Sequence, residues 1–212
     1  MLRVEWMVLG NVSTNCYFLI NEETGEAIVV DPADRANQIL AKAKELGVEI
    51  KAIFLTHGHG DHIFAVNDLK EALDVVVYAH EAEERLLLDP GLNLSMGLFG
   101  KPVSVKADVL VKDGQEIQVI GMKWKVLHTP GHTKGGCCYY QEEAKVLISG
   151  DTLFCCSVGR TDFPGGSMAE IVRSIEEKLL VLPEETIVYP GHEESTSVGY
   201  EKKFNPYVKR RF

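Results

Sequence analysis

Three of the seven histidines in this 212-residue chain lie within six residues of one another, in the segment THGHGDH at 56–62. The segment follows the apolar run AIFL at 52–55, which predicts a buried strand. Because α/β proteins place their chemistry at the carboxyl ends of strands, we expect this cluster to belong to a functional site.

Three later loops share this form, in which an apolar strand is followed by a histidine or aspartate beside a glycine. They are LHTPGHT, LISGDTLF and VYPGHEE. A single HxH pair is usually a surface feature, but the conjunction of these loops indicates a metal site. Imidazole and carboxylate groups without thiolate are ligands for Zn²⁺, Fe or Mn. The seven candidate ligands are His57, His59, Asp61, His62, His132, Asp151 and His192.

The spacing of these residues suggests how they share two ions. His57 and His59 are two residues apart, so in an extended loop their side chains point the same way and can bind one ion. Asp61 and His62 lie beyond a glycine, where the chain can turn, and can serve a second ion. An aspartate at a strand end, such as Asp151, could bridge the two.

Three other titratable residues fit the pattern less well. His80 is expected to cap or pack a helix, and His128 to support the ligands from behind. Asp31, which follows the apolar run AIVV, either supports the ligands in the same way or opens the turn at Pro32.

The remaining pattern places these loops on two β-rich halves packed face to face with helices outside. Asp34 and Gly47 are expected to begin and end one helix, and Ser167 with Glu170 forms a capping box for another that runs to about residue 180. Segment 89–105 is irregular and resembles a lid over a site. Strands are expected at 2–9, 16–20, 27–30, 52–55, 75–79, 116–120, 123–127, 137–140, 146–148 and 186–189, with further helices at 65–73 and 80–88.

Composition excludes several classes of function. The chain has 22 basic and 31 acidic residues and a formal charge of −9, which argues against nucleic acid as a partner. It has no apolar stretch long enough to span a bilayer and no signal-peptide pattern. The five cysteines lack CxxC spacing and are interpreted as buried thiols of a cytoplasmic protein. The basic end, Lys209-Arg210-Arg211, is interpreted as a solvated terminus.

The motifs resemble those of a known family. THGHGDH resembles the HxHxDH signature of the metallo-β-lactamase superfamily, and the later His132, Asp151 and His192 follow in that family's order. The resemblance covers nearly the whole chain. It implies an α/β fold, an αββα sandwich of two mixed β-sheets with helices on the outer faces, formed by residues 1–212 as a single domain with metals at one edge.

Within that superfamily the chain looks like the glyoxalase II (hydroxyacylglutathione hydrolase) group in a short form. HTPGHTKGG, SGDTLF and YPGHEE are similar to that group's motifs. The resemblance implies that two divalent metal ions bind, with Zn²⁺ preferred and Fe or Mn as alternatives. It assigns His57, His59 and His132 to one ion, Asp61, His62 and His192 to the other, and Asp151 to both.

Two differences from glyoxalase II concern the substrate. Most of that enzyme's basic, helical C-terminal extension for glutathione has no counterpart after EKKFNPYVKRRF. The run SVGRTDFPGG resembles short glyoxalase II-like hydrolases and also persulfide dioxygenases, relatives that use a single iron. Arg160 falls where glyoxalase II has a basic residue against a glutathione carboxylate, and Asp162 where it has a tyrosine. Arg160 is therefore expected to bind a small anionic thioester.

The function expected from this resemblance is hydrolysis of a hydroxyacyl thioester such as S-D-lactoylglutathione by a metal-bridged hydroxide. Asp61 is expected to bind metal and to orient the hydroxide. The alternatives are a mononuclear iron persulfide dioxygenase and a lactone- or β-lactam-type hydrolase. The PGH loop at His192 and GDTLF at Asp151 are nearer to the hydrolases than the PAH and GDALL of the dioxygenases. The acyl group, the thiol, the native metal and the oligomeric state stay open.

Overall fold

The computed structural model describes residues 1–208, so the basic end at 209–211 lies outside the described residues. Its strands are β1 (Leu2–Leu9), β2 (Thr14–Asn21), β3 (Glu26–Val30), β4 (Glu49–Phe54), β5 (Val76–His80), β6 (Val109–Val111), β7 (Glu116–Val119), β8 (Met122–His128), β9 (Cys137–Gln141), β10 (Val146–Gly150), β11 (Leu153–Phe154), β12 (Ser157–Val158), β13 (Ile187–Pro190) and β14 (Thr196–Ser197). Its helices are α1 (Ala36–Leu46), α2 (Gly60–Ile63), α3 (Val66–Ala72), α4 (Glu84–Leu88), α5 (Ser95–Phe99), α6 (Met168–Ser174) and α7 (Val198–Phe204), with a 3₁₀ turn at Glu81–Glu83 and a π-helical turn at Ile175–Leu179.

Two six-stranded sheets contain both parallel and antiparallel pairs. The first sheet has the order β1-β2-β3-β4-β5-β6, with antiparallel pairs up to β3 and parallel pairs from β3 onwards. The second has the order β14-β13-β10-β9-β8-β7, in which only the β10–β13 pair is parallel. A separate two-stranded ribbon joins β11 to β12. The expectation of an α/β fold with two mixed sheets is confirmed.

Apolar side chains form layers on both faces of the sheets. Phe54 stacks on Tyr139 of the facing sheet, with ring centroids 4.4 Å apart, and belongs to the cluster between the sheets. Its neighbour Ile53 points to the opposite face, where it packs with α1 and α3. A third cluster lies between the second sheet and α6. Because the second half of β4 is buried on both faces, residues 52–54 form a continuous apolar run rather than an alternating one.

The helix-end residues predicted from the sequence are found at some helix ends and not at others. Gly47 ends α1 in the left-handed conformation, and the Ser167 hydroxyl accepts a hydrogen bond from the Glu170 N–H at the start of α6, as expected. Asp34 is not the N-cap of α1. That position is held by Arg35 at φ 52°, and the Asp34 carboxylate accepts the Arg35 N–H rather than an N–H of the helix.

Segment 89–105 is more ordered than its sequence indicates, because it contains α5. The Asn93 side chain accepts the Ser95 N–H and donates to the Val103 carbonyl, and the Ser95 hydroxyl accepts the Val103 N–H. These bonds between side chains and backbone fasten both ends of the segment. Hydrophobic periodicity in a sequence does not reveal such hydrogen bonds. For this reason α5 was not predicted from the sequence.

The cysteines are all free, as expected, but not all of them are buried. Cys16, Cys137 and Cys138 are buried, whereas Cys155 and Cys156 are partly exposed because they form the turn between β11 and β12. The expectation of five buried thiols is wrong for this pair. Within residues 1–208, none of the helices has the length and apolar character needed to cross a bilayer.

Candidate metal centre

The seven candidate ligands meet at one edge of the structure, where strand ends from both sheets converge. His57, His59, Asp61 and His62 follow β4 of the first sheet. The others follow strands of the second sheet: His132 comes after β8, Asp151 after β10 and His192 after β13. The Asn15 side chain and the Tyr17 hydroxyl of β2 both donate to the carbonyl of Pro190, which joins the two sheets beside the ligands.

The ligands form two groups. The nearest side-chain nitrogens of His57, His59 and His132 lie within 4.8 Å of one another. The same limit holds for one ligand atom from each of Asp61, His62 and His192. These are the two groups that the sequence resemblance implied.

Asp151 lies between the two groups. Its Oδ1 is 3.5 Å from His62 Nε2, and its Oδ2 is 3.5 Å from His132 Nε2 and 3.6 Å from His192 Nε2. One carboxylate therefore faces a ligand of each group. This is the position that a bridging ligand requires.

The donor atoms fit metal ions. His57 Nε2 and Asp151 Oδ1 are buried without a hydrogen-bond partner, which costs about 1–3 kcal/mol for each such atom unless something else binds it. The Nε2 atoms of His62 and His192 are 3.3 Å apart. Two nitrogens bound to one tetrahedral Zn²⁺ at about 2.1 Å would be separated by a similar distance. A cation at this point would satisfy the unpaired atoms.

Neighbouring groups fix the orientation of the imidazole rings. His132 Nδ1 donates to the Arg160 carbonyl at 2.7 Å, and His192 Nδ1 donates to the Val12 carbonyl at 3.2 Å. Each ring therefore directs its Nε2 at the cluster. This is the usual arrangement of histidines that bind metal.

Asp31 supports the first loop from behind, as one of the two sequence interpretations proposed. Its buried carboxylate accepts hydrogen bonds from the Thr56 N–H at 2.8 Å and the Thr56 hydroxyl at 2.6 Å, and lies 3.0 Å from His62 Nδ1. The backbone at Asp31 is left-handed, with φ 47°. This conformation turns the end of β3 toward the ligand loop.

The charges of the site favour a cation at its centre. Burial lowers the pKa of His57 well below its usual value and that of His59 to about 3, so both rings are neutral at pH 7. Burial opposes protonation of His62 too, but the carboxylates of Asp61, Asp151 and Asp31 together raise its pKa to about 10. Without a metal ion, the proton on His62 supplies the positive charge that these carboxylates need.

Glu83 joins two of the ligand loops and was missed in the sequence. It is 1% exposed, and its two oxygens accept the N–H groups of Gly58, at 3.0 Å, and Gly135, at 2.8 Å. Burial raises its pKa to about 7 despite these bonds. The acidic run HEAEER does not indicate that the side chain of Glu83 is buried.

His80 and His128 form a pair beside the site. His80 accepts the Ala82 N–H and caps the 3₁₀ turn, as expected. The ring of His128 stacks on that of His80, with centroids 4.0 Å apart, and its Nε2 donates to the Lys134 carbonyl. His128 therefore contacts the loop that carries His132 through the Lys134 carbonyl, and its ring is held against His80.

A cavity of about 380 Å³ opens onto the clusters. Arg160 lies on its rim, where it makes two hydrogen bonds to the Asp162 carboxylate and stacks on the ring of Phe163. The candidate ligands that line the cavity are His59, Asp61, His132, Asp151 and His192. Its apolar wall consists of Val12, Leu94, Leu98, Phe99, Phe154, Val158 and Phe163.

The comparison with known families agrees with this geometry. A family model described as the metallo-beta-lactamase superfamily matches residues 9–192. The chain belongs to the metallo-β-lactamase superfamily. The αββα sandwich described above is the fold of that superfamily, and such folds bind divalent metals at the edge where the histidine clusters lie here.

Relatives within the superfamily include hydrolases. A protein of Bacillus subtilis (strain 168) described as a probable metallo-hydrolase is 40% identical over 203 residues, which is 95% of each chain. A hydroxyacylglutathione hydrolase of Haemophilus influenzae is 32% identical over 99% of this chain and 100% of its own. These similarities support an enzyme of the hydrolase type.

Two solved structures are similar over almost their full length. The BLEG-1 B3 metallo-beta-lactamase superposes with a TM-score of 0.92 and 39% identity, covering 97% of this chain and 99% of its own. A protein solved in a di-iron-bound form has a TM-score of 0.85 and 35% identity, with 96% and 99% covered. The first of these proteins is described as a metallo-beta-lactamase, and the second binds two iron ions.

We expect Gly191→Ala to disrupt the metal centre. A Cβ at this position would lie 2.2 Å from Asp151 Oδ1 and 2.8 Å from His62 Cε1, so both side chains would have to move. Metal analysis should find the variant depleted of metal. Gly97→Ala is the matched control, because its Cβ would meet nothing within 4 Å. Equal metal content in the two variants would contradict the placement of Asp151.

We expect Glu83→Gln to loosen the two ligand loops. The amide has one acceptor oxygen, so either the Gly58 or the Gly135 N–H loses its partner, at a cost of about 1–3 kcal/mol in the free energy of unfolding. Metal affinity should fall roughly 10- to 100-fold, as for other groups that support ligands. Denaturant titration and chelator competition measure the two effects. The exposed neighbour Glu84→Gln should change neither.

Proposed function

We propose that this chain is a two-metal hydrolase that cleaves a hydroxyacyl thioester such as S-D-lactoylglutathione. The observation that carries the proposal is the second ligand group of Asp61, His62 and His192, which stands complete beside the first with Asp151 between them. Two bound ions would use both groups. The single-iron dioxygenases also carry an aspartate and a histidine in the matching loops (GDALL and PAH), so the number of ions bound per chain decides between the two functions. The similarity to a hydroxyacylglutathione hydrolase over the whole chain supports the choice of thioester.

The residues fit two divalent cations, with Zn²⁺ preferred and Fe or Mn as alternatives. Such ions, when bound, supply Lewis acidity toward a carbonyl oxygen and lower the pKa of a water molecule between them. His57, His59 and His132 would hold one ion and Asp61, His62 and His192 the other, with Asp151 shared.

Asp61 is the residue to which we assign the orientation of the attacking water. It lines the cavity, and Thr14 Oγ1 donates to its Oδ2 at 3.3 Å, which fixes the plane of the carboxylate. The neighbouring His62 and His192 outweigh burial and hold the pKa of this carboxyl well below its usual range, so Asp61 accepts hydrogen bonds at every physiological pH. A thiolate leaves readily, so the reaction needs no strong general acid.

The cavity suits a substrate with an apolar part and one negative charge. The aromatic rings of Phe99, Phe154 and Phe163 offer apolar contact near the ligands. Arg160 uses two of its five N–H donors on Asp162 and has three left for a substrate carboxylate. We therefore retain a small anionic thioester as the proposed partner. We also propose that the protein functions in the reducing cytoplasm, because its five cysteines form no disulfides.

β-Lactam hydrolysis is the second candidate. It is favoured by the likeness to the BLEG-1 B3 metallo-beta-lactamase, with a TM-score of 0.92. The reaction needs the same residues, because a strained amide carbonyl is attacked in place of a thioester carbonyl. The two candidates differ in the shape of the acyl group that the cavity must accept.

We expect the purified enzyme to cleave S-D-lactoylglutathione, or a simpler hydroxyacyl thioester, without consuming oxygen. Chelation should abolish thiol release, and Zn²⁺ or Mn²⁺ should restore it. Thiol release, oxygen uptake and bound metal are measured on the same preparation, with a β-lactam assayed in parallel. Oxygen uptake with glutathione persulfide, dependent on one Fe(II) per chain, would replace the proposal with a dioxygenase. Faster turnover of the β-lactam would replace it with the second candidate.

We expect Arg160→Ala and Asp162→Asn to act in opposite directions on an anionic thioester. The first removes the positive charge on the rim and should raise KM, with a smaller change in kcat. The second frees the guanidinium from its partner and should lower KM. A neutral thioester is the control substrate, and its KM should change little in either variant. If both variants affect the two substrates alike, the pair has only a structural role.

A further inference from the structure

The turn between β11 and β12 carries two neighbouring thiols next to the cavity. Leu153 pairs with Val158 and Phe154 pairs with Ser157, so Cys155 and Cys156 are the two turn residues. Both are partly exposed. The proposed function gives neither of them a role, and their positions place them between the cavity wall and α7.

The two thiols converge on a third ligand-type group. The Sγ atoms of Cys155 and Cys156 and a carboxylate oxygen of Glu201 all lie within 4.8 Å of one another. Cys156 has a left-handed backbone with φ 53°, which is uncommon for a residue with a side chain. Its N–H donates to Glu201 Oε2 at 3.0 Å, and this bond holds the turn over the carboxylate.

Glu201 is fixed in place and still has room for a ligand. It is fully buried, and it accepts hydrogen bonds from the Thr196 hydroxyl, the Cys156 N–H and the Asn205 side chain. An ionised carboxylate has about four acceptor positions, so one is left. A buried carboxylate beside two thiols is a stable place for a positive charge.

The other adjacent cysteine pair shows that adjacency alone does not produce this arrangement. Cys137 and Cys138 lie on β9, where successive side chains point to opposite faces. Cys137 therefore belongs to the core between the sheets, and Cys138 to the core beneath α6. Only the turn brings two neighbouring sulfurs to the same side.

We propose that Cys155, Cys156 and Glu201 form a binding site for one thiophilic divalent metal ion, of which Zn²⁺ and Cd²⁺ are examples. Thiolates are the soft ligands that such ions prefer. Two Zn–S bonds of about 2.3 Å at a tetrahedral angle place the sulfurs about 3.8 Å apart, and the two sulfurs here lie within 4.8 Å of each other. The site is separate from the seven imidazole and carboxylate ligands and does not depend on the proposed function.

Binding of the metal ion releases protons from the cysteine thiols. Burial raises the pKa of the Cys155 thiol, with further contributions from Glu201 and Cys156, so the free Cys155 thiol is protonated at neutral pH. As the ion binds, two S–H bonds break, two bonds from sulfur to metal form, and two protons pass to the solvent. No electrons are transferred. Phe154 and Ser157, which flank the pair, line the cavity, so occupancy would stiffen that wall.

The test is titration of the metal-loaded protein with Cd²⁺, followed by the ultraviolet charge-transfer absorption of cadmium–thiolate bonds. The main centre contains no thiolate, so Cd²⁺ exchanged into it gives no such signal. We expect the absorption to saturate at one Cd²⁺ per chain. Cys155→Ser and Cys156→Ser should each weaken the binding by more than the roughly 10- to 100-fold typical of losing an outer support. Cys137→Ala is the matched control and should keep the signal.

A second measurement, thiol labelling of the wild-type protein, tests the proposal even if the serine variants do not fold. In the native wild-type protein, an aromatic disulfide reagent should react with two thiols, and Cd²⁺ should protect both. Glu201→Gln should weaken the protection while the two thiols stay reactive in the absence of metal. Absence of the thiolate signal, protection of one thiol only, or an unchanged Cd²⁺ affinity in either serine variant would each overturn the proposal.

Discussion

The carboxylate of Asp31 determines how the metal centre is built. It lies at the end of β3 and binds the Thr56 backbone, the Thr56 hydroxyl and the His62 ring on the loop after β4. A buried carboxylate is costly unless its oxygens are all paired, and here every pairing fixes part of the ligand loop. Two adjacent parallel strands therefore end in one rigid unit that carries four of the seven candidate ligands.

Several buried charges stand close together at this edge, and they are stable only as a set. Asp31, Asp61 and Asp151 surround His62, whose pKa they raise to about 10 against the effect of burial. The site thus gathers several negative charges in a largely buried position that opens onto the cavity. The proton on His62 neutralises part of this negative charge. His57 Nε2 and Asp151 Oδ1 are buried without a hydrogen-bond partner, and a bound cation would supply the interaction that they lack.

The ligands could be predicted from the sequence because their pattern is local. Each follows an apolar strand and stands beside a glycine, and the edge on which they meet follows from the strand ends. Glu83 could not be predicted, since it reaches the ligand loops only through the fold. The same holds for the bonds of Asn93 that form α5, and for the turn that directs Cys155 and Cys156 together. These depend on contacts between distant segments, which spacing along the chain does not reveal.

The ligand loops come from both sheets, and this affects how the molecule folds and persists. An ion bound by either ligand group would take ligands from both sheets and would cross-link the two halves of the sandwich, in addition to the bonds that Asn15 and Tyr17 make to Pro190. An ion that binds the folded chain alone adds about 2.7 kcal/mol of stability when its free concentration is a hundred times its dissociation constant. The lifetime of the protein in a cell would then follow the supply of metal, so that a shortage would remove the chain itself as well as its activity.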